Sequence, residues 1–225
     1  MKKLANTMTV TTSTTFGDTL TAPHINPERA REWDRYEAEV ALRQRFKRSG
    51  VPERYQEANL SQCAAPVKAY AEKGLSDGTW LVLSGPNGVG KTHQACAVAN
   101  MAILNDIGSV RFASLGKILG ELYDTFRVSE RSESIVYRYA KCRLLVLDDL
   151  GKEHMSPSNA EKLFRIIDDR WANKKPTIVT TNLTSRELRG SLTTTEGDGV
   201  AKAVIDRLAD KTNTFVQLGG GSRRR

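Results

Sequence analysis

Residues 81–93 read LVLSGPNGVGKTH, and their reading decides the fold. An apolar run ends in Gly-x-x-x-x-Gly-Lys-Thr. Gly85, Gly88 and Gly90 let the backbone curl so that successive N–H groups converge on phosphate oxygens. A helix starting near Lys91 would add the positive end of its dipole. The candidate nucleotide cradle is therefore Gly85, Pro86, Asn87, Gly88, Val89 and Gly90, with Lys91, Thr92 and His93. Lys91 would reach the β- and γ-phosphates of ATP, and the Thr92 hydroxyl would ligate Mg²⁺. Chance alone produces the pattern in on the order of 1% of chains this long, so context has to decide. Here a strand-like run precedes the loop and an alanine-rich helical run, HQACAVANMAIL (93–104), follows it.

Outward from the loop, short apolar runs alternate with helical stretches. The runs are LVLS (81–84), VRFAS (110–114), RLLVLD (143–148), TIVTT (177–181) and TFVQL (214–218). Near-continuous apolar runs suit strands covered on both faces. Their alternation with helices predicts an α/β fold, a five-stranded parallel sheet between helices.

Three further segments carry candidate chemistry. In LLVLDDLGKE (144–153), Asp148 would stand at a strand's carboxyl end beside the metal, and Asp149 would polarise an attacking water. In TIVTTNLT (177–184), Asn182 could hydrogen-bond that water or the γ-phosphate. In GVAKAVIDRLAD (199–210), Val200, Ala203, Val204 and Leu208 form an apolar helical face. Arg207 is either a surface arginine paired with Asp206 or Asp210, or a finger reaching a neighbouring subunit's nucleotide.

Before this domain, residues 6–21 are threonine-rich and poor in apolar residues, so residues 1–25 are expected to form a flexible arm. Residues 26–50 predict a helix. Asn26 caps it, Pro27 and Glu28 suit its first turn, Trp33, Tyr36 and Val40 fall at helical spacing, and Ser49-Gly50-Val51-Pro52 stops it. That helix either packs on its own domain or docks a partner. Residues 219–225, ending in Arg223, Arg224 and Arg225, are expected to be a disordered basic tail.

Composition narrows the setting. Of 225 residues, 39% are hydrophobic, enough for a buried core, yet no run approaches the roughly 18–20 apolar residues of a membrane span. The first sixteen residues have no apolar stretch of signal-peptide length, which predicts a cytoplasmic protein. Cys63, Cys96 and Cys142 have neither zinc nor redox spacing and are expected to be buried thiols. The net charge of +8 and pI near 9.5 favour a nucleic-acid partner, although the last three arginines carry part of the excess.

Together these segments resemble the AAA+ ATPases of the DnaC/DnaI helicase-loader family, to which the IstB transposition helpers are similar. The resemblance covers roughly residues 45–218 and rests on GVPERYQEANL (50–60), GPNGVGKTH (85–93), SLGKILGELYDTFR (114–127), LLVLDDLGKE, TIVTTNL and VIDRLAD (204–210). It implies a P-loop NTPase of AAA+ type over residues 51–218, lidless and preceded by a short N-terminal helix. Lys91 and Thr92 then fall on Walker A, Asp148 and Asp149 on Walker B, Asn182 on sensor 1, and Arg207 on the arginine finger. Val51, Pro52 and Tyr55 fall on a lead-in that lies near the adenine. Residues 115–127 align with a helical insertion that touches single-stranded DNA, where Lys117, Phe126 and Arg127 would supply charge and a stacking surface. The implied function is ATP-dependent loading of a replicative DNA helicase by a homo-oligomer joined through its ATP sites. The alternatives are an IstB-like helper that recruits a transposase, a small-molecule kinase, and an adaptor that binds ATP without hydrolysing it.

Overall fold

The computed structural model describes residues 26–124, 129–153 and 155–220. The expected arm at 1–25 and Arg223–Arg225 of the expected tail lie outside them. Helix α1 (Pro27–Ser49) opens as its sequence dictates: the Asn26 side-chain oxygen accepts the Glu28 N–H at 2.9 Å. Gly50, at φ +75°, ends it. The chain divides into two units between Ala38 and Glu39. In the first unit, Trp33 and Tyr36 lie edge to face with centroids 6.2 Å apart, and both are about 60% exposed. In the second, Leu42 and Phe46 pack partly buried against the core.

After α1 come single helical turns at Glu53–Tyr55 and Leu60–Gln62. A continuous helical stretch follows: α2 (Ala65–Ala69), a π-helical turn (Tyr70–Gly74) and α3 (Leu75–Asp77). The α/β alternation then runs β1 (Trp80–Ser84), α4 (Lys91–Leu104), β2 (Val110–Ser114), α5 (Leu115–Tyr123), α6 (Ser129–Lys141), β3 (Leu144–Asp148), α7 (Pro157–Ala172), β4 (Thr177–Thr181), α8 (Ser185–Leu192), α9 (Gly199–Leu208) and β5 (Thr214–Gln217). All strand pairs are parallel, in the order β2-β3-β4-β1-β5. The chain leaves β1 for the far edge of the sheet, works back to β4, and then crosses to β5. With right-handed crossovers, that reversal puts α4 on one face and the later helices on the other.

The core confirms the two layers. Leu81, Leu83, Leu144, Val146 and Ile178 face α4 and the α2–α3 stretch. Their strand neighbours Trp80, Val82, Leu145, Leu147 and Val179 face α5 to α9. Period-two alternation with apolar residues at both phases is what a sheet covered on both sides requires. Strand β5 departs from the expectation. It is an edge strand in which Val216 is buried while Phe215 is 54% exposed. Helix α9 also turns slightly from its predicted face: Ala201, Val204 and Leu208 are buried, whereas Ala203 is only partly covered.

Below the sheet, Arg170 of α7 is fully buried. Its Nη1 donates to the carbonyls of Tyr139, Ala140 and Cys142 at 2.9–3.1 Å, its Nη2 to Pro176 O at 2.6 Å, and its Nε to Thr177 Oγ1 at 2.8 Å. One guanidinium thus satisfies carbonyls that the end of α6 leaves without helical partners and fixes the entry to β4. The three cysteines are free and buried, as expected. No helix among the described residues is long and apolar enough to cross a membrane.

Candidate nucleotide site

β1 delivers the glycine loop to the carboxyl edge of the sheet. Gly85 has φ +139°, and a Cβ there would stand 2.1 Å from the Leu218 carbonyl oxygen, so only glycine fits beneath the chain leaving β5. That chain is tied down by Leu218 N–H donating to Ser84 O at 2.8 Å. Gly90, also at positive φ, turns the backbone into α4. The Lys91 side chain is almost wholly buried and folds back over the loop. Its Nζ donates to Gly85 O at 2.7 Å and Pro86 O at 2.9 Å.

The two acids of β3 meet this helix. Thr92 Oγ1 donates to the Asp148 carboxylate, 3.0 Å from Oδ1 and 3.3 Å from Oδ2, and Thr180 Oγ1 of β4 donates to Oδ1 at 2.7 Å. Burial pushes the Asp148 carboxyl above its usual range, and Asp149 adds to this. The Thr180 and Thr92 hydroxyls and Lys152 work the other way. Asp149 takes the left-handed φ of +55°, which turns its side chain off the strand. Its N–H donates to Thr180 Oγ1 at 2.9 Å, and its carboxylate accepts from Lys152 Nζ at 2.8 Å.

A cavity of about 400 Å³ opens between the loop and the lead-in. Asn87, Gly88, Gly90, Lys91, Thr92, His93 and Asp149 line it, with Arg54, Tyr55 and Gln62 opposite. The lead-in is fastened to α4 by one side chain: Asn100 Nδ2 donates to the carbonyls of Tyr55, Gln56 and Ala58 at 2.7–3.1 Å. His93 Nε2 lies 2.8 Å from Gln62 Oε1, and the Tyr55 ring stands edge-on to the imidazole with centroids 6.4 Å apart. The Arg54 guanidinium lies over the Tyr55 ring, 4.7 Å from its centroid.

Most of the predicted residues converge here, but not all. Val51 packs into the core, only 4% exposed, instead of lining the cavity. Asn182, one residue past β4, lines a neighbouring cavity of about 470 Å³ with Gly85, Pro86 and Thr181. Its buried Oδ1 has no hydrogen-bond partner among the described residues. Arg207 pairs with neither Asp206 nor Asp210. Its Nη2 lies 2.6 Å from Asp168 Oδ1 on α7, and the rings of Phe164 and Trp171 flank its guanidinium at 5.3 Å. Lys117 is exposed on α5, while Phe126 and Arg127 lie outside the described residues. Three participants escaped the sequence reading. Arg54 adjoins the predicted Tyr55, and Thr180 precedes Asn182 in the same TTN, so each had a neighbour pointing to it. Gln62 carried no local signal.

The residues fit Mg²⁺ and a polyphosphate. The Thr92 hydroxyl and the Asp148 carboxylate are hard oxygen donors of the kind Mg²⁺ takes. The glycine loop, with no Cβ at its tightest point, leaves backbone N–H groups for phosphate oxygens. Sheet order, loop and acids define a P-loop protein of AAA+ type.

Comparison with known proteins places it more narrowly. Residues 73–225 match the model of the IstB-like ATP binding protein family, and the chain belongs to that family. It is 31% identical over 67% of its length to Rv3427c, an insertion-sequence ATP-binding protein of Mycobacterium tuberculosis, of which it spans 58%. It is 30% identical over 87% of its length to the insertion-sequence ATP-binding protein y4pL of Sinorhizobium fredii, of which it spans 79%. To the replicative helicase loader DnaC of Escherichia coli it is 28% identical, covering 66% of this chain and 65% of DnaC. Among solved structures, DnaI superposes with a TM-score of 0.64 at 24% identity, over 75% of this chain and 94% of that one.

Proposed function

We propose that this protein hydrolyses Mg²⁺-bound ATP at interfaces between its own copies and uses the cycle to load a replicative DNA helicase onto DNA. The observation that carries the hydrolytic reading is the meeting of Thr92, Asp148 and Thr180 within 2.7–3.3 Å, next to a lysine lying across a glycine loop. Thr92 and Asp148 would hold Mg²⁺, which when bound neutralises charge on the β- and γ-phosphates. Lys91 exchanges its loop carbonyls for phosphate oxygens. Asp149, turned into the cavity, orients and polarises the attacking water. Asn182, which lines the adjoining cavity with Gly85 and Pro86, is the proposed hydrogen-bonding partner of that water or of the γ-phosphate. Tyr55, Arg54 and the Gln62–His93 pair form the wall for the base.

Arg207 acts from a neighbouring copy. It belongs to the last turn of α9, and the Asn213 side chain joins its carbonyl to the N–H of Trp80, the first residue of β1. The glycine loop leaves the other end of β1, about 16 Å of strand away, so Arg207 cannot serve its own nucleotide.

Lys117, exposed on α5, supports single-stranded DNA contact there, with Phe126 and Arg127 as its proposed companions. The exposed Trp33–Tyr36 pair supports α1 as the helicase-docking element. A second reading, recruitment of a transposase, is supported by the insertion-sequence relatives. Co-purification decides between them: the protein should retain its replicative helicase, and deletion of residues 1–48 should abolish retention. Retention of a transposase instead selects the second reading, and helicase retention unchanged by the deletion removes α1 from the docking role.

A further inference from the structure

Two acids placed side by side on a strand normally point to opposite faces of the sheet. At the carboxyl end of β3 both take part in one site, because the backbone turns left-handed at Asp149. A single hydroxyl on the adjacent strand is bonded to both residues. Thr180 is fully buried in β4. Its one hydroxyl hydrogen goes to Asp148 Oδ1 at 2.7 Å, and its oxygen accepts the Asp149 N–H at 2.9 Å. Among the described residues Oδ1 therefore receives two hydroxyls, whereas Oδ2 takes the longer Thr92 contact of 3.3 Å.

We propose that Thr180 is a positioning residue that sets the two neighbouring carboxylates for different tasks. By occupying Oδ1 it turns Oδ2 of Asp148 toward the metal position beside Thr92. By holding the Asp149 N–H it stabilises the left-handed turn that sends the Asp149 carboxylate into the nucleotide cavity. It touches neither metal nor nucleotide itself. Thr180 also stands two residues before Asn182, which directly follows β4, so one short stretch of chain carries both residues. This inference rests on the Mg²⁺–ATP reading above.

The test compares wild type with Thr180→Val, which keeps the shape and removes the hydroxyl, Thr180→Ala, which removes it without the added methyl, and Thr180→Ser, which keeps it. Binding of a fluorescent ATP analogue is measured in EDTA and across a Mg²⁺ titration, beside kcat and KM. Both Val and Ala should bind as wild type does in EDTA. They should need about 10- to 100-fold more Mg²⁺ to reach the tightened affinity, the usual cost of losing a partner that orients a ligand. Their kcat should fall while KM for ATP at saturating Mg²⁺ changes little, and Ser should restore both. If Val or Ala binds and turns over with wild-type Mg²⁺ dependence, Thr180 has no positioning role. Should wild type itself fail to bind the analogue, the nucleotide reading falls and this inference with it.

Discussion

Arg207 and Asp168 form an ion pair, 2.6 Å apart, at the end of the sheet opposite the glycine loop. Phe164, Asp168 and Trp171 occupy one face of α7 at spacings of four and three, so one helix supplies both the counter-charge and the flanking rings. The Arg207 side chain is only partly exposed there, at 24% of its surface.

The proposed delivery of Arg207 from a neighbouring copy makes complementation the informative assay. Arg207→Ala should lose on the order of 10³-fold in kcat, with its own site intact. Lys91→Ala should fail to hold nucleotide while still offering its arginine. Mixed in equal amounts, the two inactive variants should regain measurable ATPase activity. A mixture as inactive as its components means that the arginine does not act between copies.

The buried Arg170 predicts a stability effect unconnected with nucleotide. Burial disfavours its charge, and the guanidinium's hydrogen bonds to Tyr139, Ala140, Cys142, Pro176 and Thr177 compensate. Arg170→Ala would remove a donor from the carbonyls of Tyr139, Ala140, Cys142 and Pro176 and open a cavity. Urea denaturation should show a loss of about 3–5 kcal/mol. A loss below about 1 kcal/mol would mean that water replaces the guanidinium at no cost.

A pH signature belongs to the start of α8. Thr184 and Glu187 form a reciprocal capping box, and the Thr184 N–H and hydroxyl bonded to the carboxylate hold Glu187 below the usual carboxyl range. The folded pKa is thus lower than the unfolded one. The stabilisation is present above the unfolded value and is lost as pH falls through the folded one. Thermal denaturation of Glu187→Ala should show a lower Tm than wild type at pH 7, with the gap closing in acid. A gap that stays constant from neutral pH into acid would assign the effect to packing instead of charge.

The strands were legible because each is a short run rich in apolar or β-branched residues bounded by polar turns, and every run lies within a residue or so of its observed strand. The P-loop was legible because its demand for glycine is local. Other parts depend on distant partners. Val51 sits beside Pro52 in a lead-in whose course is set by Asn100, some 45 residues on, so its inward orientation left no trace in the local pattern. The partner of Arg207 is neither of the acids near it in sequence but Asp168, 39 residues away on α7. Phe215 reads like any core strand residue, yet among the described residues no strand lies beyond β5 to help cover it.

The Leu218 carbonyl above Gly85 gives the experimenter a handle. A dye or peptide tag joined just beyond β5 begins at the doorstep of the phosphate loop. A fluorophore there can sense a nucleotide arriving by proximity alone, with no engineered change to the loop. A bulky purification tag in the same place would crowd the very event under study. An affinity tag therefore belongs elsewhere on the chain, and a reporter belongs after residue 218.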